Sequence, residues 1–127
     1  MNFTTVVACR NRYPYLTIQS VLKYTTQPII VVDWSSDERY SIQPFEDRRV
    51  TVLRVEDETE WNLGRAYNFG ILNARSPFIL KLDCDTSVDQ PLAFSIPASR
   101  WRHRPVACQL VPDALEKKST GLNHKGR

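Results

Sequence analysis

The sequence predicts an α/β fold built on a mostly parallel sheet, and two observations support this prediction. Four short segments rich in apolar and β-branched residues, at positions 3–9, 29–32, 50–55 and 78–82, alternate with two segments in which apolar residues recur at helical spacing. The run at 29–32 is continuously apolar, which is typical of a parallel strand that is buried on both faces. A chain of 127 residues is long enough to bury one such core.

The first strand and the first helix follow from local composition. Residues 3–9 read FTTVVAC, a β-branched and apolar run that predicts a buried strand. Pro14 suits the first turn of a helix, where a backbone N–H has no helical partner and its absence costs nothing. The apolar face of this helix consists of residues three and four positions apart, namely Tyr15, Ile18 and Leu22. Pro28 separates the helix from the strand at 29–32.

The second and third strands are separated by a polar segment. Residues 34–46 predict a loop that contains a short helical turn, and residues 50–55 alternate well enough to predict a third strand. An acidic segment follows, for which we predict no more than a solvated connection; its carboxylates belong to Glu56, Asp57, Glu58 and Glu60.

The clearest helical pattern comes next. Its apolar residues fall on one stripe at helical spacing: Leu63, Ala66, Tyr67, Gly70, Ile71 and Ala74. Residues 76–77, Ser-Pro, end this helix, and the fourth strand at 78–82 runs into Asp83.

Beyond Asp89 the periodic pattern is lost, and we divide the chain into a core at 1–90 and a basic, proline-containing segment at 91–127, with one candidate strand at 106–111. The core carries 10 Lys and Arg against 12 Asp and Glu, whereas the second segment carries 7 against 2. Basic segments bind nucleic acid or anionic membranes in some proteins, but we favour a solvated or loosely held chain end as the explanation of this one. We expect no nucleic-acid partner.

Composition limits the location and the kind of metal site. The longest apolar runs are too short to span a bilayer, and Arg10 and Arg12 interrupt the only stretch that could start a signal peptide, so we expect a cytoplasmic protein. The three cysteines are widely spaced and there are only two histidines. A thiolate or imidazole metal site is therefore not expected, and any bound metal should be a hard cation, Mg²⁺ or Mn²⁺, held by oxygen.

Polar clusters follow three of the predicted strands, at residues 10–12, 33–37 and 83–85. Ligands of open α/β sheets bind beyond the carboxyl ends of the strands. If the fourth strand stays extended through Asp85, the side chains of Asp83 and Asp85 share a face, while Cys84 points into the core. Two adjacent carboxylates repel each other unless a cation lies beside them, which favours a divalent metal site; a polar turn is the alternative.

Four segments together resemble the family 2 glycosyltransferases of the GT-A fold, and the resemblance covers about residues 3–90. They read TVVACRNR at 5–12, IIVVDWSSD at 29–37, NLGRAYNFGI at 62–71 and FILKLDCD at 78–85. The resemblance implies a Rossmann-like nucleotide-binding fold, apparently truncated, because the family's catalytic domains extend well past the Asp-x-Asp pair. It also implies transfer of a sugar from a nucleoside diphosphate sugar to a saccharide or other hydroxyl acceptor.

The resemblance assigns roles to residues at the ends of the first two strands and in the second helix. Asp33 is expected to accept a hydrogen bond from the nucleobase, expected to be uracil, and the backbone at Ala8 and Cys9 to line the base pocket. Arg12 or Arg65 is expected to face the diphosphate.

Further roles fall on the second cluster, on the start of the helix and on the acidic pair. Ser35 and Asn62 are also assigned to nucleotide-sugar binding. Asp83 would approach the ribose or the metal, and Asp85 would bind the metal directly, which makes the two acids the expected catalytic and metal-binding pair.

The chain departs from the family pattern in three respects. Trp34 replaces the Asp or Asn that usually follows Asp33, Tyr67 stands where many members have Arg, and no catalytic base can be assigned among residues 91–127. Two other function classes therefore stay open: a non-catalytic nucleotide-sugar-binding module or inactive fragment that lacks the acceptor half, and an unrelated receiver-like or nucleic-acid-binding α/β protein. An incomplete sheet would also favour association with a partner protein or with a membrane surface.

Overall fold

The computed structural model describes residues 2–92, which form a parallel sheet with helices on both faces. The elements in chain order are β1 (Phe3–Cys9), α1 (Tyr15–Tyr24), β2 (Ile29–Trp34), a 3₁₀ turn (Glu38–Tyr40), β3 (Val50–Val55), α2 (Leu63–Asn73) and β4 (Phe78–Asp83). The strand order is β3-β2-β1-β4, and every pair in this described sheet is parallel. The predicted α/β, Rossmann-like architecture is confirmed.

The central strands β1 and β2 are buried along their whole length, as their apolar sequences predict. Side chains of a strand alternate between its two faces, so each strand supplies two hydrophobic clusters. The cluster beneath α1 contains Val7, Val31 and Ile18, and the cluster beneath α2 contains Val6, Val32 and Phe69. A sheet covered on both faces requires this double burial, which accounts for the lack of polar residues in the run at 29–32.

Helix α2 packs more closely than its apolar stripe alone predicts. Phe69, which lies outside the stripe, is almost fully buried, whereas Leu63 at the start of the stripe is exposed. Leu63 is the first residue of the helix and lines a cleft that is open to solvent. The prediction of the helix is confirmed, but the stripe does not mark the buried residues one for one.

The carboxyl end of α1 is capped by a side chain from another part of the chain. The guanidinium of Arg49, just before β3, donates hydrogen bonds to the carbonyl oxygens of Leu22, at 3.2 Å, and Thr25. Asp47 holds the same guanidinium in an ion pair at 2.7 Å. Arg49 therefore satisfies carbonyl groups that have no partner within the helix.

The predicted strand at 106–111 and nearly all of the basic segment at 91–127 lie outside the described residues. Within residues 2–92, no helix combines the length and the apolar character needed to cross a bilayer.

Gly70 sets the distance between α2 and the sheet, and its replacement tests this packing. A Cβ atom at position 70 would lie 2.5 Å from Val6 Cγ1 and 3.0 Å from Val32 Cγ2, both in buried strands. We expect Gly70→Ala to lower the free energy of unfolding by about 2 kcal/mol, because the helix must shift off the sheet.

Gly64→Ala in the same helix is the matched control for urea denaturation. Its Cβ would meet only Asn62 Oδ1, at 3.8 Å, so we expect stability to be unchanged or raised by less than about 1 kcal/mol. Equal stability of the two variants would contradict the close approach of α2.

Candidate functional site

A cleft of about 460 Å³ opens at the carboxyl ends of β1 and β4. Residues 8–12 form one side, Trp61, Leu63 and Tyr67 come from the approach to α2 and from α2 itself, and residues 83–85 complete the lining. This is the edge of a parallel sheet at which α/β proteins bind their ligands. A larger cavity, of about 580 Å³, lies beside the carboxyl end of α1 and has no carboxylate in its lining.

The two predicted metal-binding acids both line this cleft, but not for the reason expected. Strand β4 ends at Asp83, and Cys84 and Asp85 form a turn in which the Thr86 N–H donates to the Asp83 carbonyl at 3.1 Å. The strand therefore does not stay extended through Asp85, which was the condition for a shared face, because the chain reverses in a polar turn as soon as it passes the sheet edge. Cys84 does pack against the cluster beneath α1, as predicted.

Each acid has an exposed basic partner. Lys81 Nζ lies 2.9 Å from Asp83 Oδ1, and Arg12 Nη1 lies 3.9 Å from Asp85 Oδ2. All four side chains are largely open to solvent, and ion pairs of this kind contribute about 0–1 kcal/mol. Either carboxylate can therefore exchange its partner for a ligand at small cost.

The acids suit a hard cation that is shared with a ligand. Two exposed carboxylates that line one cleft supply the oxygen donors that Mg²⁺ and Mn²⁺ prefer. No group of three or more His, Cys, Asp or Glu side chains that could hold a metal occurs within residues 2–92. The donor set thus fits a cation completed by phosphate and water oxygens, and it does not fit a metal enclosed by protein ligands alone.

The loop after β3 is anchored, which corrects the prediction of a merely solvated acidic connection. Arg10 donates to the carbonyl oxygens of Glu58, at 2.6 Å, and Thr59, at 3.2 Å. Trp34 Nε1 donates to the Glu60 carbonyl at 3.1 Å, and the Glu58 N–H donates to Ser35 Oγ at 2.9 Å. The loop is therefore fixed to the ends of β1 and β2.

The loops at this rim turn through left-handed residues. Asn11, Ser35 and Asp57, which follow β1, β2 and β3, have φ values of 55°, 52° and 63°. Asn and Asp tolerate this conformation better than other non-glycine residues, so Ser35 carries the greatest backbone cost of the three.

Asp33, the predicted base-binding residue, is buried and already bonded. Its Oδ2 accepts a hydrogen bond from Arg54 Nη1 at 2.9 Å, and its Oδ1 accepts one from the Ser36 N–H at 3.2 Å. Only 2% of the side chain is exposed, and Asp33 does not line the cleft. Ser35 is also engaged, since its hydroxyl donates to the Val55 carbonyl at 2.7 Å. Nucleotide binding by Asp33 and Ser35 stays a prediction.

The structure separates the two candidate diphosphate-binding arginines. Arg12 lines the cleft beside Asp85. Arg65 instead pairs with Glu58 at 3.2 Å, and its guanidinium lies 5.5 Å from the centroid of the Trp34 ring. Asn62 caps α2, its Oδ1 accepting from the Arg65 N–H at 3.0 Å, and neither Asn62 nor Arg65 lines the cleft. Their nucleotide-sugar-binding roles stay predictions, as do those of Ala8 and Cys9, which do line it.

The thiols and the phenol in the cleft are uncharged at neutral pH. Burial raises the pKa of Cys9 and of Cys84 above the ordinary thiol value, so neither is a ready nucleophile. Burial also raises the pKa of Tyr67 to about 12. The Tyr67 hydroxyl donates to the Leu82 carbonyl at 2.6 Å, which fixes the ring against β4.

Three features of the site were missed by sequence reasoning: the exposed indole of Trp61, the ammonium of Lys81 beside Asp83, and the anchoring by Arg10. The i, i+2 spacing of Lys81 and Asp83 in a predicted strand could have indicated the second, since such residues share a face. The other two depend on contacts across the chain.

The Asp33–Arg54 pair predicts a stability effect that is separate from ligand binding. Arg54→Ala leaves a buried carboxylate without its cation, so we expect the free energy of unfolding to fall by about 2 kcal/mol. Arg48→Ala, which removes an exposed arginine, should change it by less than about 0.5 kcal/mol. Urea denaturation compares the two variants. If Arg54→Ala had the same free energy of unfolding as the wild type, the pair would not stabilise the fold.

Comparison with known proteins agrees with the fold. The family model described as Glycosyl transferase family 2 matches residues 4–109, a span that includes the described strands and helices except for Phe3 at the start of β1. The same span contains every residue that lines the cleft. No curated protein matches the chain. A match over this much of its length establishes the assignment: the chain belongs to glycosyl transferase family 2.

Proposed function

We propose that the chain binds a nucleoside diphosphate sugar, with UDP as its expected nucleotide, and transfers the sugar to a saccharide or other hydroxyl acceptor with the help of Mn²⁺ or Mg²⁺. Membership of the family supports glycosyl transfer in general. The observation that carries the finer proposal is the shared cleft of Asp83, Asp85 and Arg12, two hard anionic donors and one cation within one ligand-sized space.

The cleft residues fit the charge changes of this reaction. Displacement at the anomeric carbon releases a nucleoside diphosphate, on which negative charge accumulates in the transition state. A divalent cation held by Asp85 and Asp83 would supply Lewis acid stabilisation of that charge. Arg12 would donate two parallel hydrogen bonds to phosphate oxygens, which its planar guanidinium permits.

The remaining predicted residues surround this centre. Backbone groups at Ala8 and Cys9 would border the nucleotide. Recognition of a base by Asp33 would require exchange of its bond to Arg54, and an equivalent exchange with Glu58 would free Arg65 for the diphosphate.

A non-catalytic binding module is the second candidate, and one observation favours it. An inverting transferase needs a carboxylate base for the acceptor hydroxyl. Among the described residues, the cleft contains only the carboxylates of Asp83 and Asp85, both assigned to the cation. Hydrolysis of UDP-glucose that stops with EDTA would favour the enzyme, and cation-dependent binding without turnover would favour the module.

Titration calorimetry with UDP tests the assigned cation site. We expect UDP binding to require Mn²⁺ and to be abolished by EDTA. Asp85→Ala should weaken Mn²⁺-dependent binding at least about tenfold, equivalent to about 1.4 kcal/mol, because the cation loses one of two protein ligands.

Asp89→Ala provides the matched control, since Asp89 is an exposed acid outside the cleft, near α1. It should bind UDP as the wild type does. Equal affinities of Asp85→Ala and the wild type would refute the metal role of Asp85.

A further inference from the structure

Two large apolar side chains are exposed inside the cleft. Trp61 is 43% exposed and Leu63 is 48% exposed, and they are two of the four large apolar side chains that residues 2–92 expose. The other two, Tyr13 and Leu16, do not line the cleft. Single exposed apolar residues are ordinary, but adjacent ones in a polar-rimmed groove are typical of ligand-binding surfaces.

The backbone on both sides of Trp61 is held in place. Glu60 accepts a hydrogen bond from the buried Trp34 indole at 3.1 Å, and Asn62 caps α2 through its 3.0 Å bond to the Arg65 N–H. Arg10, itself a cleft residue, fixes the carbonyl of Glu58 at 2.6 Å. Because the neighbouring backbone is already held, a ligand that packs on Trp61 does not have to order this segment, which favours binding.

The apolar wall of the cleft offers a nucleobase a ring to stack on. The Asp33 side chain is only 2% exposed and does not line the cleft, so the group predicted to recognise the base does not face this space. The charges in the cleft, those of Asp83, Asp85 and Arg12, suit the diphosphate and its cation. The apolar wall formed by Trp61 and Leu63 is left for a flat, uncharged part of the ligand. Every nucleobase has such a face, and stacking on an aromatic side chain needs no particular hydrogen-bond pattern.

We propose that Trp61 stacks on the nucleobase of the bound nucleoside diphosphate, with Leu63 packing beside it, and so contributes base affinity in this cleft. This inference rests on the proposed nucleotide-sugar site.

The test compares the affinities of Trp61→Ala, Trp61→Phe and the wild type for UDP and for pyrophosphate, each with Mn²⁺. Replacing an aromatic side chain that stacks on a base with alanine typically weakens binding about tenfold. Trp61→Ala should therefore bind UDP about tenfold more weakly. Pyrophosphate has no base, and its affinity should not change. Trp61→Phe keeps an aromatic ring and should recover most of the loss, while the quenching of tryptophan fluorescence by UDP should fall.

Leu16→Ala is the matched control, because it truncates another exposed apolar residue on α1, away from the cleft. It should bind both probes as the wild type does, and melting temperatures of all variants should stay close to that of the wild type because both side chains are exposed.

Three results would overturn the proposal. Equal loss of UDP and pyrophosphate affinity in Trp61→Ala would indicate a general distortion of the cleft. If Trp61→Ala bound UDP as the wild type does but bound UDP-glucose more weakly, the indole would be assigned to the sugar ring. A wild type that binds neither UDP nor pyrophosphate would remove the nucleotide site itself, a failure of the proposed function that is distinct from the first two.

Discussion

Parallel pairing of two strands that are buried on both faces is the constraint on which the rest of the molecule depends. Strands β1 and β2 lie in register, with Val7 opposite Val31, and β4 pairs with the other edge of β1. Because the strands are parallel, their carboxyl ends lie on one side of the sheet, and because the interior is apolar, the polar side chains can gather only where the strands end. The cleft is a direct result of this arrangement.

The polar groups at that rim divide into two kinds, and burial decides which is which. At the end of β2, Asp33 and Trp34 are buried, and their hydrogen bonds connect β2 to β3 and to the loop after it. Breaking such a bond leaves a polar group without water, which costs more than the bond itself contributes. At the end of β4, Asp83 and Asp85 are exposed and paired weakly. The first kind stabilises the rim, and the second can exchange its protein partners for a ligand at the lower cost.

The anchored loop connects these two roles. Arg10 belongs to the cleft lining and also donates to two carbonyl groups of the loop after β3. The loop that leads into α2 is thereby held beside β1, and Trp61 follows directly after it. Gly70 acts on the same helix from its other end, since the absence of a side chain there lets α2 approach Val6 and Val32 closely. Both contacts therefore help to position α2, which supplies part of the cleft wall.

The sequence by itself determined the order, type and parallel arrangement of the elements, and the position of Asp83 at a strand end. These features depend on local composition and on the period of apolar residues, both of which can be read from residues close together in the chain. The predicted bounds of β1 and β3 agree with the structure to the residue. Only the tertiary structure decided that Asp33 pairs with Arg54, that Arg10 anchors the loop after β3, that Leu63 is exposed and that β4 stops at Asp83. Each of these depends on strand register or on the edge of the sheet, where residues far apart in the chain come together and a periodic pattern carries no information about which partner a side chain will find.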